Sequence, residues 1–250
     1  MSIKHDLSKK ATARRAAKSG RESLAIRAYE QIRDEILQGN LAVGDILSRR
    51  RLADKLNMSF VPITEALQRL ESEGLVESRP RIGTRVRIPT KHDIVDSYVI
   101  REALETQAAR LCCEQMTTVE RKQLLRAAKH LDKLFAASAV ESEDSRFLFS
   151  VHTYHMEFHM RIAEFGRCPG LLRAIEKEQV LIFNWLYDTA AQQKPLPTNF
   201  HHNLANALCS GDLRKADDAM RNHIRYGLDR VVETIGSLEN SKVWRHKRSA

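Results

Sequence analysis

Apolar residues recur at helical spacing along most of this 250-residue chain, and a short alternating stretch interrupts them between Leu75 and Ile88. The clearest punctuation lies in Leu47–Val86. Ser48 is placed to cap a helix running to Leu56, with Leu52, Ala53 and Leu56 on one face. Ala53 is small, which lets a second helix cross closely. Asn57 suits the left-handed conformation that ends a helix, and Met58 can turn inward. Ser59 stands as the next N-cap, Pro62 falls in the first turn, and Ile63, Ala66, Leu67 and Leu70 form a buried stripe that stops at Gly74. Leu75 and Val76 then lead into a strand, Gly83 permits a tight turn, and Arg85, Val86, Arg87 and Ile88 alternate outward and inward.

Two short helices at a tight turn, followed by a hairpin bearing Arg79, Arg81, Arg85 and Arg87, outline a winged helix-turn-helix, a motif that reads duplex DNA with its second helix. Arginines on one side of the hairpin and Val86 and Ile88 on the other suit a wing that lies on a core and faces phosphate. Pro89 and Lys91 mark a joint. Beyond it the pattern is helix after helix, over about Asp93–Gln115, Thr118–Ala137, Asp144–Phe165, Pro169–Gln192, Asn199–Ser210 and Asp212–Ile235. Thr117 with Glu120 is a capping-box pair, and Asp212 follows Gly211 as an N-cap. The expected fold is mostly α, with an N-terminal winged helix-turn-helix over 23–90 and a C-terminal all-α helical bundle over 91–237.

Charge adds a nucleic-acid partner to this picture. The net charge of +9 is lopsided: residues 1–90 hold 18 Lys and Arg against 11 Asp and Glu, whereas residues 91–240 hold 19 against 21. Lys9–Arg21 lacks large apolar residues and reads as part of a disordered basic arm over 1–22, matched by a basic tail over 238–250. No stretch of about 18 apolar residues exists for a membrane span, and no apolar run follows the N-terminal charges as a secretion signal requires, so a cytoplasmic protein is expected. The four cysteines form no C-x-x-C pair, which points to reduced thiols.

Histidines carry the chemistry of the bundle. His155 and His159 are four apart on one helix and share a face, while His201 and His223 lie on two later helices. By spacing alone, coincidence and a ligand pair are equally good readings of the first two.

The run from Ala28 to Val86, with ILQG closing its first helix, GD-x-L, RLA, P-x-x-EAL-x-RLE-x-EGLV and the wing glycine, resembles the DNA-binding domain of the GntR family of bacterial transcription regulators. The resemblance implies that Arg50, Ser59, the start of the recognition helix and the wing with Arg81, Gly83 and Arg85 meet DNA. Many relatives carry arginines where this chain has Phe60 and Thr64. Phe60 cannot hydrogen-bond a guanine edge but can pack on a thymine methyl, so an unusual operator is expected.

Residues 93–235 resemble the ligand-binding domain of the FadR-like branch of that family, in its metal-binding FCD version. REALE at 101–105, FH at 158–159, and the spacing from His201 through Asp212 to His223 carry the likeness. It implies a divalent metal on His159, His201 and His223, with His155 where relatives have an aspartate. Exchanging a carboxylate for an imidazole shifts preference from Mn²⁺ toward Zn²⁺ or Ni²⁺. A closed tetrahedral site would be structural, whereas five or six positions would leave room for an effector. The resemblance also directs Arg101 at a small carboxylate effector; the alternative is an ion pair with Glu105 on a solvated face. The expectation is a homodimer on a pseudo-palindromic double-stranded operator, regulated by that effector. A metal-dependent helical hydrolase with basic ends is the competing class, for which the metal histidines have only Glu157 as a neighbouring base, and it should point away.

Overall fold

The structure, a computed structural model, describes residues 24–81, 83–138, 145–178 and 196–239. The basic arm expected over 1–22 lies outside these residues, as do all of the C-terminal tail except 238–239 and the later part of the helix expected to Gln192. The described residues fall into two compact units that divide between Arg87 and Ile88.

In the first unit, α1 spans residues 24–37 and buries Ala28, Tyr29, Ile32 and Ile36 on one stripe. A two-residue strand β1 (Ile46–Leu47) precedes α2 (Arg49–Leu56) and α3 (Phe60–Ser72), and the hairpin is β2 (Val76–Arg79) with β3 (Gly83–Val86). Ser48 caps α2 by accepting from the Arg51 N–H, and Asn57 ends it in the left-handed conformation at φ 50°. Its backbone N–H then reaches back to α2, which closes the turn before α3 within three residues. Ile63, Ala66, Leu67 and Leu70 are buried, as their spacing predicts. Each fully buried Leu or Ile contributes about 1.5–3 kcal/mol. The Tyr29 hydroxyl donates to Glu73 at 2.6 Å and the Arg69 guanidinium lies 3.8 Å above the Tyr29 ring, tying α1 to the end of α3.

The sheet is antiparallel in the order β1-β3-β2. This order corrects one expectation. Arg85 sits on the central strand between Ile46 and Glu77, and its side chain is 2% exposed, with Nε donating to the Glu77 carboxylate at 2.6 Å. It does not face outward with the other wing arginines, because a neighbour on each side covers a central-strand residue and Glu77 supplies the counter-charge.

The second unit is helical throughout its described residues: α4 (Lys91–Gln115), α5 (Thr118–Ser138), α6 (Ser145–Phe165), α7 (residues 169–178), α8 (Phe200–Leu208) and α9 (Leu213–Glu239). Capping boxes start α4 (Thr90 with Asp93) and α5 (Thr117 with Glu120), and Asp212 accepts from the N–H groups of Arg214 and Lys215 at the start of α9. α4 packs chiefly on α9, and α5 on α6 and α8. Tyr98, Cys112, Leu124, Leu131, Phe158, Leu204, Met220 and Ile224 belong to one shared core. Gly166 lets the end of α6 approach α4, since a Cβ there would stand 3.1 Å from the Leu111 Cβ. On the outer edge Glu102 of α4 takes Arg221 and Arg225 of α9. None of the described helices is long and apolar enough to cross a membrane.

Candidate nucleic-acid interface and histidine centre

The exposed start of α3 is built by a conflict between two residues. Ser59 occupies the N-cap position with extended backbone, yet its side chain makes no capping bond. An N-cap hydroxyl accepts from the second or third helical N–H, and the third residue here is Pro62, which has none. Pro62 thus removes one of the two N–H groups the Ser59 hydroxyl could take, and the other, on Val61, is not bonded to it. Phe60 is 56% exposed and Val61 42%. Thr64 donates its hydroxyl to the Phe60 carbonyl at 2.9 Å. Arg50 lies exposed in the first turn of α2, and Arg81 lies exposed at the hairpin tip at φ 68°, two residues before Gly83 at φ 96°. Arg79 is half-exposed and 3.4 Å from Glu77. Of the residues expected at DNA, Arg50, Ser59, Phe60, Arg81 and Gly83 are exposed, Thr64 is partly so, and Arg85 is buried.

In the second unit α6 supplies His155 and His159 to one face, as the four-residue spacing predicts, and α9 supplies His223. The His159 Nε2 lies 3.0 Å from the His155 Nε2 and 3.1 Å from the His223 Nε2. Among the described residues, one nitrogen from each of these three lies within 4.8 Å of the others. His201, at the start of α8, stands beside them with its ring centroid 5.0 Å from that of His155 and 5.3 Å from that of His223, although its nitrogen is outside the group of three.

Two carboxylates that sequence reasoning left out of the centre set its protonation. Glu105 of α4 is buried, with Arg101 at 2.7 Å on one oxygen and the His159 Nδ1 at 2.5 Å on the other. Burial works against its charge, but Arg101 and His159 outweigh that and hold the carboxyl down to about 2. An ionised Glu105 only accepts, so His159 carries its proton on Nδ1 and turns a lone pair inward at Nε2. Asp132 of α5 does the same for His201, accepting from Nδ1 at 2.8 Å. It also accepts from the backbone N–H groups of His201 and His202, at the second and third positions of α8. Asn199, the nominal cap, sits at φ 58° and caps nothing with its side chain, so Asp132 caps α8 from another helix. Burial pushes His155, His201 and His223 below the ordinary imidazole value, and repulsion from His159 adds to it, while the Asp132 carboxylate works the other way at His201; all three are neutral at pH 7.

This donor set fits a cation. The Nε2 of His201, opposite the nitrogen that bonds Asp132, is buried without a hydrogen-bond partner. The single lone pair on the His159 Nε2 cannot serve two neighbouring imidazoles at once, whereas one ion can accept from all of them. Carboxylates behind the ligands are the usual means of fixing the tautomer in histidine metal sites. A cavity of about 70 Å³ adjoins the cluster, lined by Tyr98, Arg101, His152, Tyr226 and Arg230 besides the four histidines. Arg101 thus pairs with Glu105, but on a buried face at the cavity and not on a solvated one. His152, whose Nδ1 is buried without a partner, is a cavity residue that spacing did not single out. Glu157 is exposed, away from the cluster.

Comparison with known proteins agrees with both halves. The family of bacterial regulatory proteins named for gntR matches residues 24–86, and the FCD domain matches residues 96–226. A probable D-xylose utilization operon transcriptional repressor of Paenarthrobacter nicotinovorans is 29% identical over 84% of this chain and 91% of its own length. The HTH-type transcriptional repressor GlaR of Escherichia coli is 25% identical over 78% of this chain and 90% of its own. Among solved structures, E. coli McbR/YncC shares the fold with a TM-score of 0.68 at 22% identity, over 85% of this chain and 98% of that one. The two sequence relatives are transcription regulators and not enzymes, so the hydrolase reading has no support among them.

Proposed function

Because this chain belongs to the GntR family of bacterial transcription regulators and carries an FCD domain, we propose that it is a cytoplasmic homodimer that grips a pseudo-palindromic operator through two winged units. Its affinity for the operator is set by a small carboxylate effector beside a divalent metal in the FCD cavity. The observation that carries the effector half is the convergence of His155, His159 and His223 next to a cavity whose described lining includes Arg101 and Arg230 but no carboxylate. The metal would be held by these three histidines, with His201 as the fourth donor, and would supply positive charge for an anion.

An all-histidine donor set suits Zn²⁺ or Ni²⁺, and a site that kept a position open would admit water or a carboxylate. On the DNA side Arg50, Ser59, Phe60, Thr64, Arg81 and the backbone at Gly83 are the contact residues, and Arg85 supports the wing from inside.

The test is operator binding by the full-length protein at fixed salt, after chelation and after adding back Zn²⁺ or Ni²⁺, with and without small mono- and dicarboxylates. A coupling of about 1–3 kcal/mol shifts operator affinity roughly 5- to 150-fold. A carboxylate that binds the protein and leaves operator affinity unaltered refutes the regulatory reading.

A further inference from the structure

We propose that this chain reads its half-site through thymine methyl groups, using an apolar surface made by Phe60, Val61 and the methyl group of Thr64 at the start of α3. The proposal rests on the reading of the first unit as DNA-binding and names what that unit recognises.

In a helix-turn-helix the N-terminal residues of the second helix meet the base edges in the major groove. Here Phe60 and Val61 are 56% and 42% exposed in that first turn, whereas the other large apolar side chains of α3, Ile63, Leu67 and Leu70, are buried. Thr64 adds to them. Its hydroxyl proton is committed to the Phe60 carbonyl, which turns the other branch at Cβ, the methyl group, away from that carbonyl.

The remaining groups on α3 argue against guanine. Guanine shows two acceptors in the major groove, O6 and N7, and is read by a bidentate donor such as Arg or Lys. The first two turns of α3 contain neither. Glu65 is exposed there and only accepts, so it is repelled by a guanine edge and suited to an amino group of adenine or cytosine. The single arginine of the helix, Arg69, lies in the last turn, where it donates to Glu73 at 3.1 Å and lies over the Tyr29 ring. What the start of α3 offers is apolar surface beside an acceptor. In the major groove A·T pairs match both, with the thymine C5-methyl for the first and the adenine amino group for the second. The phosphate grip then falls to Ser59, Arg50 and Arg81 around this patch.

The test starts by selecting duplexes from a random library with the full-length protein at fixed salt, then remaking the enriched duplex with deoxyuridine in place of each thymine in turn. Uracil keeps the pairing and the O4 acceptor and lacks only the methyl group. Selection should place A·T pairs at the positions facing α3, and each contacted methyl removed should weaken binding about fourfold, with the salt dependence unchanged. Phe60→Ala should abolish the difference between thymine and uracil at its position, while Phe60→Arg should move the selected base there to guanine. Phe60 is exposed, and thermal melting of both variants verifies the fold. Guanine at those positions for the wild-type protein, or uracil substitution without effect on a duplex that is still bound selectively, overturns the proposal and leaves DNA reading intact. Failure to enrich any sequence overturns both.

Discussion

Asp132→Ala should injure the FCD unit twice, once in stability and once in metal affinity. The Asp132 carboxylate takes two backbone N–H groups at the start of α8 and the Nδ1 proton of His201, at 2.9, 3.0 and 2.8 Å. Losing an N-cap costs about 1 kcal/mol. Losing a hydrogen bond to a charged partner costs about 1.5–3 kcal/mol, and His201 is fully buried. The sum is about 3 kcal/mol, which lowers the melting temperature of a unit of this size by roughly 6–12 °C. Without Asp132 the His201 ring is free to carry its proton on either nitrogen, so metal affinity should fall 10- to 100-fold as well. Asp132→Asn keeps one oxygen as acceptor but turns an amino group on the His202 N–H, and should lose about half as much stability. Differential scanning calorimetry and competition against a metal chelator measure the two effects. An Asp132→Ala protein that melts within 1 °C of wild type refutes the capping argument, and unchanged metal affinity refutes the positioning argument.

Other expected outcomes follow from the same geometry. Leu67→Ala removes a side chain that is 3% exposed in the first unit and should cost about 2–5 kcal/mol in urea unfolding, with no change in the FCD transition. Arg81→Ala should lower the slope of operator affinity against log salt by about 1, whereas Arg85→Met should lower stability and leave that slope alone, since its guanidinium is buried against Glu77. Glu120 is lowered from 4.5 to about 2 by the Thr117 backbone N–H, Arg167 and the Thr117 hydroxyl. A carboxylate depressed in the folded state lends stability above its unfolded value near 4.3, and that stability is lost as pH falls toward 2. Arg167→Ala should therefore destabilise at pH 7 and flatten the acid limb between pH 4.3 and 2 in thermal melts.

Much of this architecture was legible along the chain because its signals are local. The left-handed Asn57, the Thr117–Glu120 box, the Asp212 cap and the shared face of His155 and His159 each depend on residues within four positions of one another. Illegible features depend on distant pairing. Arg85 alternates correctly with Val86, but its burial follows from β3 being central, which brings Ile46 and Glu77 to its sides. Glu105 lies 54 residues from His159 and Asp132 lies 69 from His201, and no periodicity links them. For Arg101 the ion pair with Glu105 forms, but on a buried face at the cavity and not on a solvated one.

Charge around the cavity leads to a last prediction about metal removal. Glu105 pairs with Arg101 and offsets its charge, and His155, His201 and His223 are neutral. Without an ion, the cavity therefore offers an incoming carboxylate Arg230 and an Arg101 that is partly neutralised. A divalent ion on the histidines adds two positive charges to the site, with no carboxylate on the described lining to cancel them. Small carboxylates should accordingly stabilise the FCD unit of the Zn²⁺- or Ni²⁺-loaded protein by about 2.7 kcal/mol at 100 times their Kd, read as a higher melting temperature. They should have little effect on the chelated protein or on His159→Ala. Equal stabilisation with and without the ion would place the anion on Arg101 and Arg230 alone, and the histidine centre would then be a structural clamp on α6, α8 and α9.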